Sequence, residues 1–136
     1  MKKTVSFIVA IFLMAQVGNA QNGLLDPSFG ASGYVTTDFG FNFNMAFSVA
    51  IDNNGKIVAA GSTRTPDGDD LGSDFLLARY NEDGSLSPDF GNNGLVITDI
   101  NGSSSDVATK VIIQPDGKIL VAGRTHDSAT FTNYAI

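Results

Sequence analysis

The chain has 136 residues, 8 Lys+Arg against 14 Asp+Glu, a net charge of −6 and no cysteine. The length suits about one domain. The missing cysteines exclude disulfides, thiolate catalysis, Cys-ligated zinc and a lipid-modified N-terminal Cys, and an acidic chain without basic clusters argues against nucleic acid and anionic membrane surfaces as partners.

Residues 1–20 read as a signal peptide. Lys2 and Lys3 form the charged start, Val5 to Ala15 is an apolar run of the usual length, and Gly18-Asn19-Ala20 puts small residues where a signal peptidase reads. The run is shorter than the ~20 apolar residues of a membrane span. Cleavage after Ala20 is expected, with a secreted or cell-surface mature chain starting at Gln21. Loss of the two lysines takes the charge from −6 to −8. Thirteen of the acids are Asp and only Glu82 is Glu. Asp prefers turns and Glu prefers helices, so the skew argues for many turns.

The mature chain then repeats itself. Leu25-Asp26-Pro27-Ser28-Phe29-Gly30-Ala31-Ser32-Gly33 leads into Tyr34–Asp38, and Leu86-Ser87-Pro88-Asp89-Phe90-Gly91-Asn92-Asn93-Gly94 leads into Leu95–Asp99, about 61 residues later. Asp52-Asn53-Asn54-Gly55-Lys56 returns as Gln114-Pro115-Asp116-Gly117-Lys118 at about 62. A fixed period with several anchors marks a repeat architecture.

One unit reads as a Pro/Phe/Gly corner, strand one over Tyr34–Asp38, strand two over Met45–Asp52, a tight turn, strand three over Lys56–Thr63, an acidic loop, and strand four over Asp74–Tyr80. Gly after Asn or Asp in each turn suits a type I turn running into a residue with φ > 0. Ile57-Val58-Ala59-Ala60 and Phe75-Leu76-Leu77-Ala78 are apolar on both faces, which implies a sheet covered on both sides. Asp106–Val111 has a weak helical pattern, but its counterpart Asn44–Val49 is β-like, so both are expected as strands.

The predicted fold is all-β: tandem four-stranded antiparallel blades, β-propeller-like, with a first unit over 21–85 and a second over 86–136. The second stops inside its last strand, Asn133–Ile136, so the chain is expected to be an incomplete N-terminal fragment of a longer protein.

The LDPSFG corner, the QPDGKILVAG hairpin and the DFLLARYNEDGSL strand-turn resemble the delta-60 repeat, a β-propeller-like repeat of unknown function in large exported bacterial proteins. The resemblance covers Leu24 to Ile136. It implies tandem blades and extracellular location, and brings no catalytic residues. Ser87 departs from the expected Asp of the second corner, and Asp52-Asn53-Asn54 replaces Gln-Pro-Asp in the first turn.

Candidate chemistry is sparse. Asp67, Asp69, Asp70 and Asp74 place four carboxylates in one loop, as calcium would want. Leu71 breaks EF-hand spacing, and the second unit has Asp127-Ser128-Ala129-Thr130 instead, so a solvated acidic loop is the preferred reading and no metal or cofactor is assigned. His126 is the single His, too little for a zinc site, and no G-x-S-x-G motif offers a nucleophile. The acids lie in turns rather than as a catalytic pair. Lys56 and Lys118 recur after each turn Gly and read as hairpin flanks whose stems cover apolar surface. Phe29 and Phe90 read as buried corner anchors. Asn101-Gly102-Ser103 matches a glycosylation sequon, with modification not expected after a bacterial-type leader.

The expected function is a non-enzymatic exported scaffold or binding surface for protein or glycan. The alternative is an accessory or substrate-binding propeller of a secreted enzyme, with its catalysis elsewhere in sequence.

Overall fold

A computed structural model describes residues 23–40, 43–64, 72–100, 102, 104–127 and 131–136. The leader, Gln21, Asp67, Asp69, Asp70, Asn101 and Ser103 lie outside the described residues. Among the described residues seven strands follow in order: β1 (Phe43–Ile51), β2 (Ile57–Arg64), β3 (Asp74–Tyr80), β4 (Leu95–Thr98), β5 (Val107–Ile113), β6 (Ile119–Asp127) and β7 (Phe131–Ala135). They form two antiparallel sheets, β1-β2-β3-β4 and β5-β6-β7. The fold is all-β and β-propeller-like.

One five-residue turn is used three times. Gly55 N–H donates to the Asp52 carbonyl, Gly84 N–H to Asn81 and Gly117 N–H to Gln114, at 2.8–3.0 Å. Each Gly has φ between +75° and +84°, where a Cβ would be strained. The Asp52 carboxylate also accepts the Asn54 and Lys56 N–H groups at 2.8 and 2.9 Å, so the residue types that signalled a turn make it.

The hairpins β1–β2 and β5–β6 share a bulge. Their register slips between Ala46 and Ser48, and between Ala108 and Lys110, leaving Phe47 and Thr109 as extra residues. A Cβ on Gly61 or Gly123 would strike the Met45 or Val107 carbonyl oxygen. Glycine is what lets the bulged backbone approach. At Gly123 the same Cβ would also meet the Phe75 ring, so the missing side chain makes room for the facing sheet.

The core lies between the sheets. Val58, Ala60, Phe75 and Leu77 of the first pack on Ala108, Val111 and Ala135 of the second. The other face of the first sheet is also covered: Leu76 and Ala78 are buried, and Thr37 and Phe39 stand over that face beside a groove of about 190 Å³. Thr37 Oγ1 and the Tyr80 hydroxyl are 3.0 Å apart. On the second sheet Ile112 and Leu120 stay exposed.

Two expectations need correction. Tyr34–Asp38 is not a sheet strand; its one bridge joins Tyr34 to Gly30. Its counterpart β4 pairs with β3 of the unit before it, Phe75↔Thr98 to Ala78↔Leu95. Tyr34–Asp38 would need such a preceding strand, and the described residues supply none. The first four-stranded sheet therefore runs from Phe43 to Thr98, crossing the 85/86 boundary of the sequence repeat. The weak helical pattern at Asp106–Val111 is β5, as its repeat counterpart indicated.

Candidate functional site

At one end of the sheets three strand ends converge. Continuing the Phe75↔Thr98 pairing by one residue sets Asp74, at the start of β3, opposite Asp99, just after β4. The first residues of β3 also reach the second sheet. Ser73 N–H donates to the Ser104 carbonyl at 3.2 Å, and Asp106 N–H donates to the Ser73 carbonyl at 2.5 Å. This brings Asp106, just before β5, to the same place. Carboxylate oxygens of Asp74, Asp99 and Asp106 lie within 4.8 Å of one another.

The three carboxylates differ in environment. Asp106 is fully buried. Its Oδ1 accepts from the Ser104 hydroxyl at 2.7 Å and its Oδ2 from the Ile100 N–H at 2.7 Å. Asp99 is exposed and accepts from the Gly102 N–H at 2.6 Å. Asp74 is half-buried. Desolvation first, then the charges of Asp99 and Asp106, push its carboxyl above the ordinary carboxylate range.

Asp74 was a candidate ligand as the last acid of the loop starting at Asp67. The fold brings it instead to Asp99 and Asp106, which sequence reasoning did not pair with it. The signal was faint: both stand at strand ends, at repeat positions where Asp38 and Asn44 stand in the first unit. Asp67, Asp69 and Asp70 fall outside the described residues.

A second polar group is built around the second corner. Lys56 Nζ donates to Ser87 Oγ at 2.8 Å and pairs with Asp89 at 3.1 Å. Arg79 pairs with Asp89 at 2.9 Å and lies over the Phe90 ring, 4.6 Å from its centre. Ser87 is fully buried and donates to Asp89 at 2.5 Å. That bond first, and Lys56 next, hold the Asp89 carboxyl well below its usual range. Lys56 is thus a crosslink from the first hairpin to the corner, more than a flank. Lys118 pairs within its own turn with Asp116 at 2.6 Å and is mostly exposed. Phe90 packs against the core margin as a partly buried anchor, and Phe29 is half-buried. His126 is exposed and exchanges backbone hydrogen bonds with Ser105.

A family model described as a domain of unknown function (DUF5122), β-propeller, matches residues 53–90 and 114–136. These segments hold both hairpin turns, β3 and the second corner up to Phe90. The chain is therefore similar to a β-propeller repeat family. No curated protein and no solved structure gives a match. No helix among the described residues is long and apolar enough to cross a membrane.

Proposed function

We propose that this chain is an exported, non-enzymatic β-propeller module of the delta-60 repeat type, serving as a rigid scaffold or binding surface for protein or glycan. One observation carries the reading: the polar residues of the turns and of the second corner are spent on architecture. Asp52 and Asp116 brace turns, and Lys56, Ser87 and Asp89 lock a corner. The leader sequence supports export. A binding surface is available on β1, where Phe43, Met45, Phe47, Val49 and Ile51 are exposed.

The test begins with the exported protein. Intact mass should place its first residue at Gln21, and a species retaining Lys2 would overturn the export reading. Glycan and protein arrays should then give binding without turnover, weakened by Phe47→Asp or Val49→Asp. Turnover of any bound substrate, lost in Asp99→Asn, would overturn the non-enzymatic reading.

A second reading rests on the groove beside Thr37, Phe39, Asn44 and Tyr80. Aromatic rings beside hydroxyl and amide groups suit a sugar, as in a substrate-binding propeller of a secreted enzyme. Glycan binding lost in Tyr80→Ala but kept in Phe47→Asp would favour it.

A further inference from the structure

We propose that Asp74, Asp99 and Asp106, with the hydroxyl of Thr125, form a binding site for a hard divalent cation of the calcium class where the two sheets meet. Such a site is independent of the scaffold role and would offset a cost built into the fold. Asp74 and Asp99 stand opposite each other in register, and like charges so placed destabilise a sheet. The third carboxylate, Asp106, is fully buried, where an ionised group needs compensation.

Thr125 supplies an independent observation. It is 7% exposed, and its Oγ1 is a buried polar atom with no hydrogen-bond partner among the described residues. Buried hydroxyls nearly always have one. Register sets Thr125 beside Asp106. Ser105 and His126 exchange N–H···O bonds of 2.7 and 3.1 Å, and Val107 pairs with Arg124. Asp106 and Thr125 fall between, as a directly opposed pair without mutual backbone bonds, the arrangement that brings side chains closest on one face.

The first unit is an internal control. Asn44 and Thr63 are the matching pair, also in register. There Thr63 Oγ1 donates to Asn44 Oδ1 at 2.8 Å, and the amide closes the site. In the second unit Asp replaces Asn, the threonine hydroxyl is left over, and the carboxylate joins two others. An ion among these oxygens would take up the Thr125 hydroxyl that hydrogen bonding leaves unsatisfied and offset the gathered carboxylate charge.

The donor set selects the ion. With no Cys and one His in the chain, soft and borderline metals find little to hold. Calcium takes 6–8 oxygen ligands at roughly 2.3–2.6 Å, so ligands across it stand about 4.6–5.2 Å apart. Carboxylate oxygens that lie within 4.8 Å of one another can share such an ion. Magnesium, at about 2.0–2.1 Å with near-octahedral demands, would need a tighter set. Waters complete the shell.

The test is calorimetric titration of the full exported chain, stripped with chelator, using calcium chloride and separately magnesium chloride. Calcium should bind at one site with Kd in the range of about 10⁻⁴–10⁻³ M, as extracellular calcium modules do, and should raise Tm. Magnesium should bind at least about tenfold more weakly. Asp99→Asn and Asp106→Asn should each weaken calcium binding by about tenfold or more. Asp106→Asn recreates the Asn44–Thr63 pair and so keeps the fold, checked by an unchanged Tm without calcium. Thr125→Val should weaken binding several-fold and Thr125→Ser should retain it. Absence of calcium binding at 5 mM would overturn the proposal. So would equal binding by both ions, or binding lost in the Asp69→Asn, Asp70→Asn double variant but kept in Asp99→Asn.

Discussion

The two corners have one backbone and two fates. In the first, Phe29 N–H donates to the Asp26 carbonyl at 3.1 Å and Gly33 N–H to Phe29 at 2.8 Å; in the second, Phe90 and Gly94 repeat these bonds at the same lengths. Gly30 and Gly91, Ser32 and Asn93, and Gly33 and Gly94 adopt matching positive φ angles. Even the serine–aspartate bond is kept with its ends exchanged. Ser28 donates to Asp26 at 2.7 Å in one corner, and Ser87 to Asp89 at 2.5 Å in the other. Yet Leu95–Thr98 becomes a strand and Tyr34–Asp38 does not. The difference lies in what each corner rests against. The second is held by Lys56 and Arg79, and β3 offers its strand an edge. The corner is a local structure; the strand after it is a tertiary one.

Proline substitution would break this comparison most sharply. Arg79 N–H donates to the Gly94 carbonyl at 2.9 Å, so by alternation Leu77↔Val96 is also a hydrogen-bonded pair. Val96→Pro should remove a ladder donor and cost on the order of 2–4 kcal/mol, read as a fall in the urea midpoint. Val35→Pro, at the matching position of the first corner, should cost less than about 1 kcal/mol. Equal losses would mean that Tyr34–Asp38 is as much a strand as β4.

The lysines give a smaller contrast. Lys56→Met removes bonds to Ser87 and Asp89 and should cost about 1–2 kcal/mol. Lys118→Met loses one exposed ion pair, worth roughly 0–1 kcal/mol. Thermal melts of both variants test the pair, and a Lys118 variant as damaged as the Lys56 one would reverse the assignment.

Titration gives the finest discrimination. The Asp89 and Asp26 carboxyls are both lowered, chiefly by bonds to Ser87 and Ser28 respectively, but only Asp89 has cationic partners. A depressed carboxyl contributes stability that is fully present above its unfolded value of ~3.9 and is lost as pH falls toward the folded one. Side-chain carboxyl NMR should show Asp89 titrating below Asp26. Lys56→Met should narrow the gap without closing it, since the Ser87 bond remains. A gap unchanged by Lys56→Met would remove the lysine from the account.

Much of this was legible in residue types. Asn-Asn-Gly and Pro-Asp-Gly announced the turns, and Phe75 to Ala78 announced a strand buried on both faces. Asp74–Tyr80 is β3 with the bounds read from the chain. The repeat decided correctly between strand and helix at β5. What stayed hidden depends on register between distant strands. Nothing local says that Asp74 will stand opposite Asp99, or that Ser73 will draw Asp106 to both. Nor does the lysine after a turn glycine reveal whether it will reach a corner, as Lys56 does, or curl back to its own turn, as Lys118 does. The signal that Tyr34–Asp38 shares with Leu95–Thr98 is real, but a strand also needs an edge to meet.

The offset between repeat and sheet has a mechanical meaning. The second corner delivers its following strand to the sheet behind it, so the two units overlap like shingles. A pull applied across the 85/86 boundary would not simply peel one sheet from the next. It would load the β3–β4 ladder, where Phe75 to Ala78 face Leu95 to Thr98, with the antiparallel strands joined through the corner between them. Such a joint divides the load between a clasp of charged side chains and a row of backbone bonds, and the clasp around Lys56 and Asp89 guards the end at which unzipping would begin.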